Sequence, residues 1–233
     1  MKKIVVIGGS SGMGLATAAL MRKEGYEITI ASRSKEKLEA AVKIIGEAKS
    51  CVLDVTSETE IQDFFNSHPV FDHLVISAAD FVMGPFLDLS VKDARKFFDS
   101  KFWGQYCVAK YAAPKMQKKG SITFFSGIAG QKPFLNMAVA SAINAAIEGL
   151  TRTLALELSP LRVNAIAPGT VATAIWNGVA EKEKSAFFQK ISETLPARRV
   201  GQPEDIAQVV KFLIACEYMT GEVISCDGGA SLL

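Results

Sequence analysis

Seven residues near the amino terminus, Gly8-Gly9-Ser10-Ser11-Gly12-Met13-Gly14, carry the clearest chemical signal in the chain. They follow an apolar, β-branched run and open a helical pattern. In that position each glycine has its own duty. Gly8 permits a tight exit from the strand, Gly12 lets main-chain amides approach a pyrophosphate, and Gly14 allows close helix–strand packing. Amides at the helix start face the anion together with the positive end of the helix dipole. Ser10 and Ser11 add hydroxyl donors. A second signal lies about 20 residues further on, where an acid commonly accepts hydrogen bonds from the ribose hydroxyls of NAD. This chain reads Ala31-Ser32-Arg33-Ser34 there, with no acid. Arg33, with a planar fork and the hydroxyls of Ser32 and Ser34 beside it, suits a 2′-phosphate. The expected cofactor is therefore NADP(H) in preference to NAD(H).

These groups need a scaffold that brings strand ends together. Short β-branched runs at 4–7, 28–31, 50–53, 74–76, 122–125, 163–166 and 223–226 alternate with helical patterns at 13–23, 35–45, 58–66, 91–116, 135–158 and 203–215. Runs apolar on both faces fit a parallel sheet covered by helices on each side. Ser57-Glu58-Thr59-Glu60 has capping-box spacing, Ser90 precedes Asp93 by three residues, and Pro203 sits as a first-turn proline ahead of Glu204 and Asp205. The alternation predicts an α/β chain, a single-domain Rossmann fold over 1–233 with a doubly wound, seven-stranded parallel sheet. Ligands in such sheets lie beyond the carboxyl ends of the strands. The pattern from Ala138 to Leu158 is apolar on nearly every side, which predicts burial against the sheet and against a second subunit. A homodimer or homotetramer is expected.

Composition narrows the class. The chain has 233 residues, 49% of them hydrophobic and 21% charged, the balance of a packed globular protein. Its formal charge of +2 gives no field for nucleic acid or an anionic membrane. Mean hydropathy is +0.22, yet no apolar run approaches the ~18 residues that span a bilayer. The run from Ile4 to Ile7 is too short for a signal peptide, so a cytoplasmic location is expected. Cys51, Cys107, Cys216 and Cys226 have neither Cys-x-x-Cys pairing nor His at ligand spacing, and no metal site is expected.

The spacing Gly8-x-x-x-Gly12-x-Gly14 resembles that of the short-chain dehydrogenase/reductase family, and the resemblance runs along the whole chain. Asp54-Val55 is similar to the family's adenine-contacting pair. Ile76-Ser77-Ala78-Ala79 stands where the family has two asparagines, alanine and glycine. Pro168-Gly169, with Val171 and Thr173 following, resembles the segment that holds the nicotinamide carboxamide. Arg199-Val200-Gly201-Gln202-Pro203-Glu204-Asp205, Thr220-Gly221-Glu222 and Asp227-Gly228-Gly229 resemble its carboxyl-terminal motifs. The resemblance implies carbonyl reduction or alcohol oxidation. It also implies a tyrosine acid/base, a lysine that lowers its pKa, a serine that holds the substrate oxygen and an asparagine in a proton relay. A free phenol has a pKa near 10, so the neighbouring cation matters.

Aligned through Gly120–Gly130 and Glu148–Glu157, those four positions fall on other residue types. The serine position is Gly127, the tyrosine position Ala140, the lysine position Asn144 and the asparagine position Lys101. Lys101 is the one long ionisable side chain among them. Ser126 is expected to point to the opposite face. His68 and His73 precede the fourth strand, away from the crevice, and Tyr106 and Tyr111 read as core or interface. Two functions remain open. One is an atypical NADPH-dependent oxidoreductase that passes hydride to a carbonyl or quinone, its acceptor held beneath a lid over 170–200 with Trp176, Phe187 and Phe188. The other is a catalytically inactive NADP(H)-binding protein: a sensor, a sequestering protein or a structural partner.

Overall fold

The computed structural model describes residues 1–233. Its first strand shows why the sheet is double-faced. In β1 (Lys3–Ile7) every residue from Ile4 to Ile7 is fully buried. Val5 and Ile7 point into one layer with Leu74, Ile76, Ile122 and Phe124. Ile4 and Val6 point into the other with Ile28, Ile30 and Val75. The period-two side-chain alternation of a strand thus feeds two separate cores.

The remaining strands are β2 (Glu27–Ser32), β3 (Ala48–Val52), β4 (Phe71–Ile76), β5 (Met116–Phe125), β6 (Arg162–Pro168) and β7 (Val223–Cys226). All pair in parallel, in the order β3-β2-β1-β4-β5-β6-β7. One face carries α1 (Gly12–Lys23), α2 (Lys35–Ile45) and α8 (Pro203–Ala215). The other carries α3 (Glu58–Ser67), α5 (Gly104–Ala112) and α6 (Ala138–Glu157). The chain reverses direction of build at β1 and β4, which opens the crevice at their carboxyl ends.

Local chemistry sets most helix ends. Ser34, Ser57 and Ser90 cap α2, α3 and α4 (Val91–Phe98) by accepting from amides three residues on. Gln202 and Asp205 form a reciprocal capping box at α8. Asp205 also takes both guanidinium nitrogens of Arg199, at 2.6 and 2.7 Å. Buried Arg162 closes the other end of α8. Its Nη1 donates to the carbonyls of Leu213 and Met219 and its Nη2 to that of Ile214.

Three segments depart from the sequence expectation. The helix expected over 91–116 is broken. A π-helical turn, Asp99–Trp103, separates α4 from α5, and a 3-10 turn at Ala113–Lys115 follows, where Pro114 has no amide to donate. Strand β5 starts six residues earlier than expected, with Gln117–Lys119 exposed. A further helix, α7 (Glu181–Thr194), occupies the segment expected as a lid. The expectation for α6 is met on one side only within the chain. Ala140, Ile143, Ile147 and Ala155 are buried, whereas Ala138, Ala142, Ala145 and Leu156 are exposed.

Candidate functional site

A cavity of about 480 Å³ opens at the carboxyl ends of β1, β2, β4 and β5, a volume within the range that holds small ligands. Of the expected cofactor residues, Gly8, Ser10, Ser11, Gly12, Met13, Gly14, Ser32, Arg33, Ser34, Val55, Ser77, Ala78, Ala79 and Thr173 line it. Asp54, Pro168, Gly169 and Val171 do not.

The glycine loop is fixed by close approach. A Cβ on Gly8 would lie 2.5 Å from the amide nitrogen of Ala78, and one on Gly14 would run into the carbonyl of Gly8 and Oγ of Ser77. Ser77 donates to the carbonyls of Ile7 and Gly8, at 3.2 and 3.4 Å. Gly12 (φ +52°) faces Thr173 across the opening, with Thr173 carbons 3.4 Å from where its Cβ would be. Helix α1 differs from α2, α3 and α4 in having no side-chain cap and no acid in its first turn. Its leading amides are left for an anion.

At the end of β2, Oγ of Ser32 is buried without a partner, an orphan that a bound ribose or phosphate would satisfy. Ser34 is engaged otherwise. It caps α2 through Lys37 N and donates to Glu36. Arg33 donates to Asp80 from both nitrogens, at 2.5 and 3.3 Å. The donors, the uncapped helix start and the cavity fit a phosphorylated dinucleotide.

Residues outside the lining position those within it. Asp54 accepts from the amide and hydroxyl of Thr56, fixing the turn that presents Val55. Gly169 packs on Asp227, whose Cα would be 2.7 Å from an added Cβ. Val171 bridges to Gly201 and accepts from Nε1 of Trp176 at 3.0 Å. Trp176, Phe187 and Phe188 pack on one another, with ring centroids 5.0–6.2 Å apart. It is Thr173, Ala174 and Ile175 that face the cavity from this segment.

The inner end of the cavity holds Lys101, Ser100, Gln105, Phe125 and Ser126. Lys101 lies in the π-helical turn. Its Nζ donates to the carbonyl of Ser126 at 3.1 Å and stands 5.8 Å from the centre of the Phe97 ring. Burial pushes this ammonium down to about 8, because the charged form loses hydration. Gln105 exchanges two 3.0 Å hydrogen bonds with the main chain of Phe125. Ser126 turns its hydroxyl away from the opening, to Glu148 at 2.9 Å and the carbonyl of Asn144 at 3.3 Å.

Gly127, Ala140 and Asn144 lie behind this wall. Ala140 and Asn144 are buried, and Oδ1 of Asn144 has no partner. None of the four tyrosines lines the cavity. Tyr26 packs edge-on to His73, Tyr106 lies against Phe102 and Trp103, Tyr111 donates to Glu58 at 2.6 Å, and Tyr218 is fully exposed.

Sequence reasoning missed Lys37, Asp80, Phe81 and Gln105, all of which line the cavity. Lys37 was detectable as a basic residue in the first turn of α2, four positions after Arg33. Asp80 follows directly on Ser77-Ala78-Ala79. Gln105 carried no sequence signal.

No helix is long and apolar enough to cross a membrane. A profile described as enoyl-(acyl carrier protein) reductase matches residues 8–231. A short-chain dehydrogenase/reductase of Stachybotrys chlorohalonatus is 32% identical over 250 residues, covering 99% of this chain and 97% of the relative. Carbonyl reductase family member 4 of Xenopus laevis is 32% identical over 239 residues, covering 99% and 98%. A crystal structure of a small-chain dehydrogenase in complex with NADPH superposes with a TM-score of 0.88 at 35% identity, over 100% of this chain and 99% of that one. The glycine cradle between β1 and α1, the seven parallel strands and these full-length similarities have one explanation: the chain belongs to the short-chain dehydrogenase/reductase family, as an oxidoreductase of that type.

Proposed function

We infer that the protein is an NADPH-dependent reductase of a carbonyl or quinone acceptor in which Lys101 takes the place of the family's tyrosine–lysine pair as the proton source. The observation that carries this reading is the Lys101 ammonium, which lines a cavity that no tyrosine reaches. NADPH, when bound, supplies the hydride. The glycine loop, Ser32, Arg33 and Lys37 hold its phosphates and ribose, and Thr173 meets its nicotinamide end. Lys101 holds a proton over the acceptor oxygen and transfers it as the carbon receives hydride, so a ketone becomes an alcohol. Ser126 orients Lys101 through its carbonyl. Phe81 and Ile175, which line the opening, favour an apolar acceptor, and the segment 170–200 acts as its lid.

A second reading, an NADP(H)-binding protein without turnover, draws on the sealed positions. Asn144 is wedged under Gly127, so the family's serine, tyrosine and lysine positions hold no proton donor. One set of measurements separates the two. Calorimetry with NADPH and NADH is followed by a screen of ketones and quinones at the nicotinamide absorbance. Acceptor-dependent NADPH oxidation that falls at least tenfold in Lys101→Met supports the reductase. Tight NADPH binding with no turnover above the solution rate supports the binder.

The uncovered stripe Ala138, Ala142, Ala145 and Leu156 of α6 is the proposed face for a homodimer or homotetramer, of cytoplasmic location. Sedimentation of the wild type against Ala145→Glu tests it. A monomeric wild type sinks the assembly.

A further inference from the structure

The ion pair between Arg33 and Asp80 lies across the cavity, not along its wall. Arg33 follows β2 and Asp80 follows β4, and in the sheet these two strands flank β1. The pair therefore passes over the mouth of the Gly8–Gly14 loop, and both residues line the cavity. Its geometry is two-pronged, with Nη2 to Oδ1 at 2.5 Å and Nη1 to Oδ2 at 3.3 Å. Both carboxylate oxygens are engaged by the same guanidinium. Asp80 is held at its main chain, where its amide donates to Oγ of Ser100 at 3.1 Å. The side chains are 55% and 45% exposed, so the link is exchangeable and contributes little to stability. It is a contact that a better anion can replace.

A phosphate monoester carries close to two negative charges and three acceptor oxygens. It pairs with a guanidinium through the same fork, more strongly than one carboxylate. A ribose hydroxyl offers no such exchange.

We propose that Asp80 is the specificity-determining counter-ion of this site: its carboxylate holds Arg33 in the free protein, and the 2′-phosphate of NADPH must displace it to bind. Asp80 thus weakens the phosphorylated cofactor twice, by occupying Arg33 and by standing near the incoming dianion. It leaves the unphosphorylated cofactor almost untouched. The chain's preference for NADPH is set by the balance between the two residues and not by Arg33 alone. This inference rests on the dinucleotide site described above.

The test is calorimetry of NADPH and NADH with the wild type, Asp80→Asn, Arg33→Ala and the double variant. Asp80→Asn keeps the side chain's shape and removes its charge. It is expected to tighten NADPH about tenfold and to change NADH less than twofold. Arg33→Ala is expected to weaken NADPH at least tenfold, and adding Asp80→Asn to it to recover much less than in the wild type. An unchanged NADPH affinity in Asp80→Asn overturns the proposal. So does a loss of NADH affinity in that variant, which makes Asp80 a ribose acceptor instead. A wild type that binds both cofactors equally, with Asp80→Asn favouring NADPH tenfold, overturns the cofactor preference and supports the role of Asp80. Binding of neither cofactor to any variant overturns both.

Discussion

A Cβ added to Gly127 would stand 2.8 Å from Nδ2 of Asn144. The Asn144 amide thus fills the space that a side chain at position 127 would need. Asn144 is also pressed from Gly130, whose added Cβ would lie 2.9 Å from its Cβ. Gly127 has an extended backbone (φ 169°), so a side chain there meets crowding alone.

Gly127→Ser by itself is accordingly destabilising, by about 1–2 kcal/mol, the range for overpacking in a filled core. Combined with Asn144→Ala, which removes the obstructing amide and an unsatisfied Oδ1, most of the loss is recovered. Denaturant midpoints of the two single variants and the double give the coupling energy. Strict additivity would show that the residues do not compete for one space.

The Lys101 ammonium, lowered to about 8 by burial, sets the pH dependence of the proposed reduction. The proton donor is present below that value and lost above it, so acceptor-dependent NADPH oxidation declines as pH rises through about 8. Linkage gives a second signature. Between that value and the ordinary 10.5 the unfolded chain binds the extra proton, so stability rises with pH across this window as the native charge is removed. Lys101→Met abolishes both effects and raises the melting temperature at pH 7, because an apolar side chain replaces a poorly hydrated charge. A reductase whose rate is flat from pH 7 to 9 excludes Lys101 as the donor.

Buried His73 makes a prediction of the same sign at acid pH. Its Nδ1 meets Oγ of Ser121 at 2.9 Å, and its Nε2 has no partner. Burial, reinforced by Lys2, pushes it down to about 4 from 6.5. The unfolded chain takes up the proton first as pH falls, so stability present above 6.5 is lost progressively toward 4. His73→Gln flattens the acid limb of the melting-temperature profile over that range. An unchanged limb assigns acid unfolding to other groups.

Arg162 is the interior pin of α8. It is 7% exposed and donates to three carbonyls, those of Leu213, Ile214 and Met219. Arg162→Met strips the carbonyls of Leu213 and Ile214 of this donor and leaves that of Met219 with Nδ2 of Asn164 alone, at a cost of about 3 kcal/mol in total. The urea midpoint falls while the slope stays constant. A loss below about 1 kcal/mol would mean that water reaches these carbonyls.

The fold was legible in the sequence where one physical rule acted alone. β1 and β2 were announced by β-branched residues between turn formers, and the starts of α3 and α4 by serines at their caps. Where two rules compete the reading failed. The apolar pattern from Val91 to Met116 continues through the π-helical turn, because the turn changes hydrogen bonding and not residue type. Helix α7 buries no residue, so no apolar period marks it. In the site, Gly8 to Gly14 were readable because main-chain approach demands glycine. Asp80 was not, since its meaning depends on Arg33, 47 positions away in sequence. Gln105 was hidden likewise, as nothing local distinguishes a glutamine that grips a strand from one in solvent.

The widened turn from Asp99 to Trp103 has a consequence for tampering with length. Lys101 grips Ser126 from within it, and Gln105 grips Phe125 just beyond it. Two clasps on adjacent residues, the last of β5 and the one after it, thus hang on an irregular winding. Excising one amino acid between them would restore ordinary α-helical hydrogen bonding and rotate everything downstream by about 100°. Either clasp could then be kept, but not both. Shortening here would be tolerated far less well than any single exchange of side chains.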